Sequence, residues 1–214
     1  YTLSLHDALP ISDGPGTVHF NGRLLDEWPA RELARRRGYL CQHQTPPFAM
    51  PVWHYLALHM QQQGDSARLS DIAARLGLDN KLGRPVNQLS GGEWQRVRLA
   101  AVILQIDPLS NSAGQLLLLD EPTSALDVSV QAEILNLLAE LQLEAKLTYL
   151  MVTHDLGVIA HLCQKVAVMQ YGKILETLTV DALVSGQAQT AYTQMLVNAS
   201  RQYTREMARE VAEY

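Results

Sequence analysis

Two apolar runs and one helical pattern follow each other in the middle of the chain. The run Leu116–Leu119 ends in two acidic residues, which predicts a parallel strand buried on both faces. Apolar residues recur at helical spacing over Val128–Glu144, and Leu147–Val152 predicts the next buried strand. Because a strand, a helix and a strand in this order form a right-handed crossover, we expect the two strands to be parallel and close together.

The segment before these elements predicts a small β piece. Thr17–Phe20 is a predicted strand, and the Asn21-Gly22 pair after it is typical of a hairpin turn. A short helix is expected over Pro29–Arg37, since proline is favoured early in a helix. We expect Gly38 to stop this helix and Tyr39–Gln42 to form a short strand.

Helices are predicted between the β piece and the central strands. Pro46, Pro47 and Pro51 predict an extended loop, and the pattern from Val52 to Gly83 is helical. A further helix is expected to begin near Ser90. Its predicted apolar face consists of Trp94, Val97, Ala101 and Leu104.

The two ends of the chain differ from its middle. Tyr1–Ser12 resembles a translated sequencing-adapter peptide, and a loose N-terminal tail is the alternative, so we leave it out of the fold prediction. Towards the other end, Val166–Tyr171 and Ile174–Leu178 predict a hairpin about a Gly172-Lys173 turn. Ala191–Tyr214 predicts a mostly polar helical tail.

Composition narrows the class of protein. A hydrophobic fraction of 47% excludes a disordered chain, and a net charge of −5 argues against a general nucleic-acid binder. Two cysteines, Cys41 and Cys163, lack metal-like spacing and suggest reduced thiols in a cytosolic protein. No apolar run reaches the ~20 residues that a spanning helix needs, so we expect membrane association through a partner subunit.

Chemically active side chains follow the two predicted parallel strands. Asp120 and Glu121 end the first strand, and His154 comes just after the second. Ligands of such sheets bind beyond the carboxyl ends of the strands, so the three side chains are expected around one crevice. There Asp120 can hold Mg²⁺, Glu121 can polarise an attacking water, and His154 can sense a γ-phosphate. The alternatives are a charge pair at a helix N-terminus and an ordinary loop histidine.

A glycine-rich helix start is the most specific short motif. In Leu89–Glu93, Ser90 is a good N-cap, and Gly91 and Gly92 leave backbone amides uncovered. Uncovered amides at the positive end of a helix dipole form an anion site. A plain Ser-Gly helix cap is the alternative, and the acidic pair and histidine elsewhere in the chain favour the anion site.

Taken together, these motifs resemble those of ABC-type ATPases from about Gly16 to about Thr179. Leu89–Glu93 resembles the family signature, and Leu116–Glu121 resembles Walker B with its catalytic glutamate. Ser124–Asp127 resembles the D-loop, and His154 resembles the switch histidine.

The resemblance implies an α/β fold with a P-loop NTPase-like core. This core is a parallel sheet with flanking helices, joined by a helical lobe and a small antiparallel β piece and truncated at its N-terminus. The implied segments are a tail (1–12), a β-rich piece with the Q-loop (13–45), a helical lobe (46–88), the ATPase core (89–179) and a C-terminal helical tail (180–214).

The resemblance also implies ATP and Mg²⁺ as cofactors. Glu121 and His154 would be catalytic, and Asp120 and Gln42, the Q-loop glutamine, would contact Mg²⁺. The implied nucleotide-binding residues are Gln42, Ser90, Gly91, Gly92, Glu93 and Asp127.

The resemblance implies protein partners as well. A second ATPase subunit would bind head to tail, so that each signature closes the site of the other subunit. Transmembrane permease subunits would bind the Q-loop and helical lobe, which implies a peripheral position on the cytoplasmic face of the membrane.

A phosphate cradle of the form Gly-x-x-x-x-Gly-Lys-Ser/Thr does not occur in the 214 residues. Gly172-Lys173 cannot replace it, because Ile174 follows and the pair comes after the switch histidine. We therefore expect little or no ATP hydrolysis by this polypeptide alone.

Two subfamilies are suggested by different parts of the chain. Gln44–Leu56, Asn87–Ala101 and the loop Gln105–Gln115 resemble the ATPases of vitamin B12 importers. The part after Pro122 resembles oligopeptide, dipeptide and nickel importer ATPases, in segments Thr123–Ala132, Thr153–Gly157 and Ala191–Leu196. Two explanations account for this mixed resemblance. The sequence is either a chimera joined in the shared Leu-Asp-Glu-Pro stretch or a single divergent gene.

Two other functions compete with a transport ATPase. A non-transport relative in DNA repair or chromosome structure would carry long coiled coils, whereas His43–Gln88 is short and lacks heptads. A non-enzymatic fragment would at most offer its signature loop to an intact partner.

Overall fold

The computed structural model describes residues 19–46, 48–60, 65–106, 115–124 and 126–200. Within these ranges, residues 19–152 form one compact unit and residues 153–200 form a second. Predictions on residues 1–18, Pro47, 61–64, 107–114, Ala125 and 201–214 lie outside the described residues. The division into functional segments given above stays a prediction.

A hairpin and a short helix lead into the sheet. Strands β1 (His19–Phe20) and β2 (Arg23–Leu24) pair antiparallel about Asn21 and Gly22, whose φ angles are +50° and +76°. The predicted hairpin is thus confirmed. Helix α1 (Ala30–Ala34) and strand β3 (Arg37–Leu40) follow.

The helical segment is built on a central buried helix. Helices α2 (Val52–Ala57) and α3 (Ser66–Arg75) both pack against α4 (Gly91–Gln105). The predicted apolar face of α4 is buried, but its other faces are buried too, because β3 also packs on this helix. The burial of the predicted face is thus confirmed, and the helix is buried more widely than the prediction stated. Also buried are Gln95, Arg98, Leu99, Ala100, Val102 and Ile103.

The parallel sheet of the prediction is confirmed. Strand β4 (Gln115–Asp120) lies between β3 and β5 (Leu147–Val152), and both pairings are parallel. Helix α5 (Val128–Glu144) connects β4 to β5 and packs on β5. In register, Leu40 lies beside Leu119, and Asp120 lies beside Val152. The carboxyl ends of the three strands therefore meet at one edge.

The two predicted buried strands differ in their burial. Leu117 and Leu119 of β4 are fully buried, whereas Leu116 and Leu118 are half-buried. Leu147 is the buried residue of β5, and Leu150 is 45% exposed. The prediction of a buried strand was wrong for most of β5, because α5 covers one face of this edge strand.

Gly38 lies inside β3 rather than at the end of a helix, which corrects the prediction. Helix α1 ends at Ala34, and the strand covers Arg37–Leu40, so Gln42 lies two residues beyond it. A Cβ atom on Gly38 would lie 2.7 Å from Val102 Cγ1 and 2.8 Å from Leu117 Cδ2. The glycine is therefore needed for close packing of α4 on β3, not for breaking a helix.

The second unit begins after β5 and contains a hairpin between helices. Helix α6 (Leu156–Leu162) precedes strands β6 (Lys165–Gln170) and β7 (Lys173–Thr179), which pair antiparallel. Helix α7 (Val180–Val184) and helix α8, over residues 191–200, follow.

The hairpin of the second unit is confirmed, but its turn is displaced by one residue. Tyr171 and Gly172 form the turn, with φ angles of +50° and +76°, while Lys173 is already in the strand. Two consecutive positive φ angles define this turn type, and Gly172 supplies the second of them.

Within the described part of the chain, every helix is too short or too polar to cross a membrane.

Candidate functional site

Asp120 and Gln42 lie together at the carboxyl edge of the parallel sheet. Asp120 ends β4, is only 6% exposed, and accepts a hydrogen bond from the Gln42 backbone. Burial raises the pKa of Asp120, and the nearby Glu121 raises it further, while the Gln42 bond and His43 lower it. The sheet therefore presents a desolvated carboxyl group beside a second acid, an arrangement that a cation would stabilise.

Glu121 has an unusual backbone conformation. Its φ angle is +49°, in the left-handed region that residues other than glycine rarely adopt. Its N–H donates a 2.9 Å hydrogen bond to the Val152 carbonyl, and the Ser124 hydroxyl donates a 3.1 Å bond to the Glu121 carbonyl. Such a conformation costs on the order of 1–3 kcal/mol and is common at functional sites. The strain is therefore at the residue predicted to activate water.

The Ser90 motif forms a capping box at the start of α4. Ser90 Oγ accepts from the Glu93 N–H at 3.2 Å, and Glu93 Oε2 accepts from the Ser90 N–H at 2.9 Å. Lys81 Nζ lies 2.9 Å from Glu93 Oε1. The hydrogen bond from Ser90, followed by the contact with Lys81, lowers the pKa of Glu93. Glu93 thus stabilises the helix start, and its contact with a nucleotide stays a prediction.

Gly91 leaves the start of α4 open. This residue is exposed, and a Cβ atom added to it would meet nothing within 4 Å. Gly92 is half-buried next to it. Asp127, at the N-cap of α5, is exposed, and its side chain makes no capping hydrogen bond. The backbone at Gly91, in the first turn of α4, is therefore open towards an anion approaching from outside.

The structure also reveals polar residues that the sequence analysis missed. Gln95 and Arg98, on α4, are 4% and 3% exposed. Gln95 Nε2 donates a 2.9 Å hydrogen bond to the Pro122 carbonyl, directly after Glu121. Arg98 contacts the segment that contains Gln42. Gln95 and Arg98 are three positions apart and so lie on one face of α4, and this spacing was the signal available in the sequence.

His154 belongs to the second compact unit. It is exposed, and the next residue, Asp155, caps α6 by accepting from the Gly157 N–H at 2.7 Å. The capped helix thus begins immediately after the histidine. The predicted approach of His154 to Glu121 stays a prediction.

A match to a known protein family covers the segment that contains Leu89–Glu93 and Leu116–Glu121. The sequence model described as ABC transporter matches residues 9–124. The chain belongs to the ABC transporter family. The match begins within the first 12 residues, so residues 9–12 are included in it.

Curated ABC relatives include the vitamin B12 import ATP-binding protein BtuD of Escherichia coli O139:H28 and of Shigella boydii serotype 18. Each is 50% identical over 165 residues, which are 77% of this chain and 66% of the relative. The chain therefore spans just under two thirds of the length of these curated relatives.

Solved ABC structures share the fold. A bacterial Atm1-family ABC exporter with ATP bound has a TM-score of 0.68 and 21% identity, covering 83% of this chain and 31% of that one. A putative metal-chelate type ABC transporter in an inward-facing conformation has a TM-score of 0.58 and 23% identity, covering 71% and 62%. These similarities support the ABC ATPase fold.

The residues at the edge of the sheet fit the Mg²⁺ that accompanies ATP in ABC ATPases. The buried carboxyl group of Asp120 and the amide side chain of Gln42 offer oxygen donors, which Mg²⁺ prefers. No group of three or more His, Cys, Asp or Glu side chains suited to a metal occurs among the described residues. Mg²⁺ binds through one or two protein groups together with waters and substrate phosphates, so Asp120 and Gln42 would be enough to hold it.

Proposed function

We propose that the chain is the ATP-binding part of an ABC importer, in which the ATPase subunits together hydrolyse ATP to drive transport. The juxtaposition of Asp120 and Gln42 at the ends of neighbouring parallel strands carries this proposal. The family membership and the open helix start at Gly91 support it.

Four side chains would have separate roles in the hydrolysis of ATP. Asp120 and Gln42 would hold Mg²⁺, which when bound neutralises charge on the phosphate oxygens. Glu121 would accept a proton from the attacking water, and His154 would donate a hydrogen bond to the γ-phosphate. The strained backbone of Glu121 turns the chain directly after β4, next to Asp120, and this supports the proposed role.

The signature would act on a nucleotide held by another subunit. Ser90, Gly91 and Gly92 offer amides and a hydroxyl at the positive end of α4. Asp127 would contact the same partner from the start of α5. Since the 214 residues contain no Gly-x-x-x-x-Gly-Lys-Ser/Thr sequence, we expect the polypeptide to complete the site of an intact ATPase subunit without hydrolysing ATP alone.

Vitamin B12 is the proposed transported molecule. The 50% identity to vitamin B12 import ATP-binding proteins supports it. The likeness of Thr123–Ala132 and Thr153–Gly157 to oligopeptide, dipeptide and nickel importer ATPases keeps those substrates as the second candidate. In either case, permease subunits would bind the Q-loop and helical lobe and hold the chain at the cytoplasmic face of the membrane.

Nucleotide-dependent association tests the signature directly. The polypeptide is mixed with intact Escherichia coli BtuD and analysed by size-exclusion chromatography with light scattering, with Mg²⁺ and a non-hydrolysable ATP analogue or without nucleotide. We expect a mixed dimer only with the analogue. Gly91→Asp should abolish it, because the new carboxylate would lie at the anion site.

Gly83→Asp is the matched control for this variant. Gly83 is exposed in the same helical segment, and a Cβ atom there also meets nothing within 4 Å. The two variants therefore add the same charge in open space, and only Gly91→Asp should prevent association. A mixed dimer that survives Gly91→Asp, or that forms equally without nucleotide, contradicts the proposal. Mg²⁺-dependent hydrolysis by the polypeptide alone, lost in Glu121→Gln, contradicts its inactivity.

A further inference from the structure

A buried arginine fastens the segment after β3 to helix α4. Arg98 is only 3% exposed. Its Nε donates to Gln44 Oε1 at 3.3 Å, its Nη1 lies 3.5 Å from the Gln42 carbonyl, and its Nη2 donates to the Cys41 carbonyl. Nη2 also lies 3.4 Å from the Cys41 thiol. One guanidinium group thus contacts three residues of the segment 41–44.

This arrangement uses the geometry of arginine rather than its charge alone. A planar guanidinium directs several N–H groups along fixed directions, which a lysine ammonium cannot do. Burying a charge is costly unless its hydrogen bonds are satisfied, and here backbone carbonyls accept them. Loss of Arg98 would leave these partly buried acceptors without their donor.

Neighbouring residues strengthen the attachment of Gln44. Trp94 Nε1, one turn before Arg98, donates a 2.6 Å hydrogen bond to the Gln44 carbonyl. The Tyr55 hydroxyl also hydrogen-bonds the Gln44 side chain, and the Tyr55 and Trp94 rings lie 5.1 Å apart. Residues of α2 and α4 therefore hold the same loop.

The same arginine is connected to the loop after β4. Arg98 Nη1 donates to Gln95 Oε1 at 2.9 Å, and Gln95 Nε2 donates to the Pro122 carbonyl at 2.9 Å. A continuous series of hydrogen bonds thus runs from Cys41 through Arg98 and Gln95 to Pro122. Its two ends adjoin Gln42 and Glu121, the residues proposed to act on Mg²⁺ and water.

We infer that Arg98 is a positioning residue that makes the Gln42 segment, helix α4 and the Pro122 loop move as one body. This inference rests on the proposed function, because it assigns these segments to the nucleotide site. A displacement of the signature end of α4 would then be transmitted to Gln42 and Glu121 together. An arginine that only fills the core would stabilise the protein without controlling the loop.

Cysteine labelling distinguishes these two roles. Cys41 is half-buried beside Arg98, so its rate of reaction with a thiol reagent, read by mass spectrometry of its peptide, reports opening of the segment. We expect Arg98→Lys to label about tenfold faster than the unchanged protein, equivalent to ~1.4 kcal/mol. Lysine keeps the positive charge near the thiol, so faster labelling reports exposure. Hydrogen exchange of the amides of residues 41–45 should rise in parallel.

Arg96→Lys is the matched control on the same helix. Arg96 Nη1 donates to the Leu76 carbonyl at 3.3 Å, far from the Gln42 segment in sequence, and the residue is half-buried. Both variants lose a guanidinium from α4, and only Arg98→Lys should change Cys41 labelling. If the two variants lower the melting temperature equally and neither changes Cys41 labelling or exchange at residues 41–45, the positioning role is wrong.

A second variant covers the case in which Arg98→Lys fails to fold. Gln44 is exposed, so Gln44→Ala should fold and should also accelerate Cys41 labelling and exchange at residues 41–45. Unchanged values in Gln44→Ala overturn the inference. All these measurements are made without nucleotide, whereas the mixed-dimer experiment requires it. Failure of the proposed function would therefore leave the labelling result intact, and failure of the inference would leave the mixed dimer intact.

Discussion

Gly38→Ala is a sharp test of how helix α4 packs on the parallel sheet. The added Cβ would lie 2.7 Å from Val102 Cγ1, 2.8 Å from Leu117 Cδ2 and 3.2 Å from the Val102 carbonyl oxygen. Real Cβ atoms essentially never approach other heavy atoms below 3.0 Å, so the helix or the strand must shift. Gly38 is buried, and Val102 and Leu117 are 7% and 0% exposed, so their side chains have little room to move.

The expected cost follows from overpacking of a buried site. Extra methyl groups in packed cores typically cost about 1–3 kcal/mol. A cost near ~2 kcal/mol in a chain of this size lowers the melting temperature by about 4–8 °C. Val102 should account for part of this loss of stability, because its Cγ1 methyl group is the atom nearest to the added Cβ.

Thermal unfolding followed by circular dichroism measures this effect. Gly83→Ala is the control, because its added Cβ meets nothing within 4 Å, and its melting temperature should stay close to that of the unchanged protein. Combining Gly38→Ala with Val102→Ala should cost less than the sum of the single changes, since the clash is removed with the Val102 methyl groups. A fully stable Gly38→Ala protein, or strictly additive costs, would refute the packing argument.

Two further predictions concern hydrogen bonds outside the site. Tyr149→Phe should lower the free energy of unfolding in urea by about 1 kcal/mol, because the Tyr149 hydroxyl donates a 2.7 Å hydrogen bond to the Leu138 carbonyl and burial raises the pKa of this hydroxyl. The control Tyr171→Phe, at a side chain that is 90% exposed, should leave the free energy of unfolding unchanged. Equal losses in the two variants would contradict this prediction. Glu176→Gln should increase hydrogen exchange in helix α8 at neutral pH, since the Glu176 carboxylate accepts from the Gln189 and Thr190 amides and the Thr190 hydroxyl. These bonds lower its pKa to about 2, so the difference from the unchanged protein should disappear as the pH falls from about 4.3 towards 2. An exchange difference that does not depend on pH, or none at all, would count against this anchoring role.

The elements with strong local patterns could be predicted from the sequence. Helix Val128–Glu144 and strand Leu147–Val152 have the predicted bounds, because a long apolar stripe and a compact apolar run each end in clear polar signals. Strand β4 exceeds its prediction by one residue at each end. The adjacency of Asp120 and the Gln42 backbone follows from parallel pairing of β3 with β4, a property of topology rather than of either residue.

Features that depend on contacts between distant segments could not be predicted in the same way. Gly38 has the local signature of a helix stop, and its role in β3 follows from Val102, more than sixty residues later in the chain. Arg98 occupies a helix position where a charged residue usually points to solvent. Its burial is explained by hydrogen bonds to backbone carbonyls of the segment 41–44. The positions of these carbonyls cannot be derived from the spacing of residues along α4.

Gly38 and Arg98 both contribute to the packing of helix α4 against strand β3 and the segment that follows it. Helix α4 must approach β3 closely, which the missing side chain of Gly38 permits, and a close approach buries the polar backbone where β3 ends. Arg98 satisfies the carbonyls of that backbone, and Gln95 on the same helix satisfies the Pro122 carbonyl after β4. Since buried carbonyls require donors, the loops that carry Gln42 and Glu121 are fixed to α4 by the same contacts that close the core. The hydrogen bonds of Arg98 and Gln95 that accompany the burial of α4 therefore also hold residues of the candidate site in place.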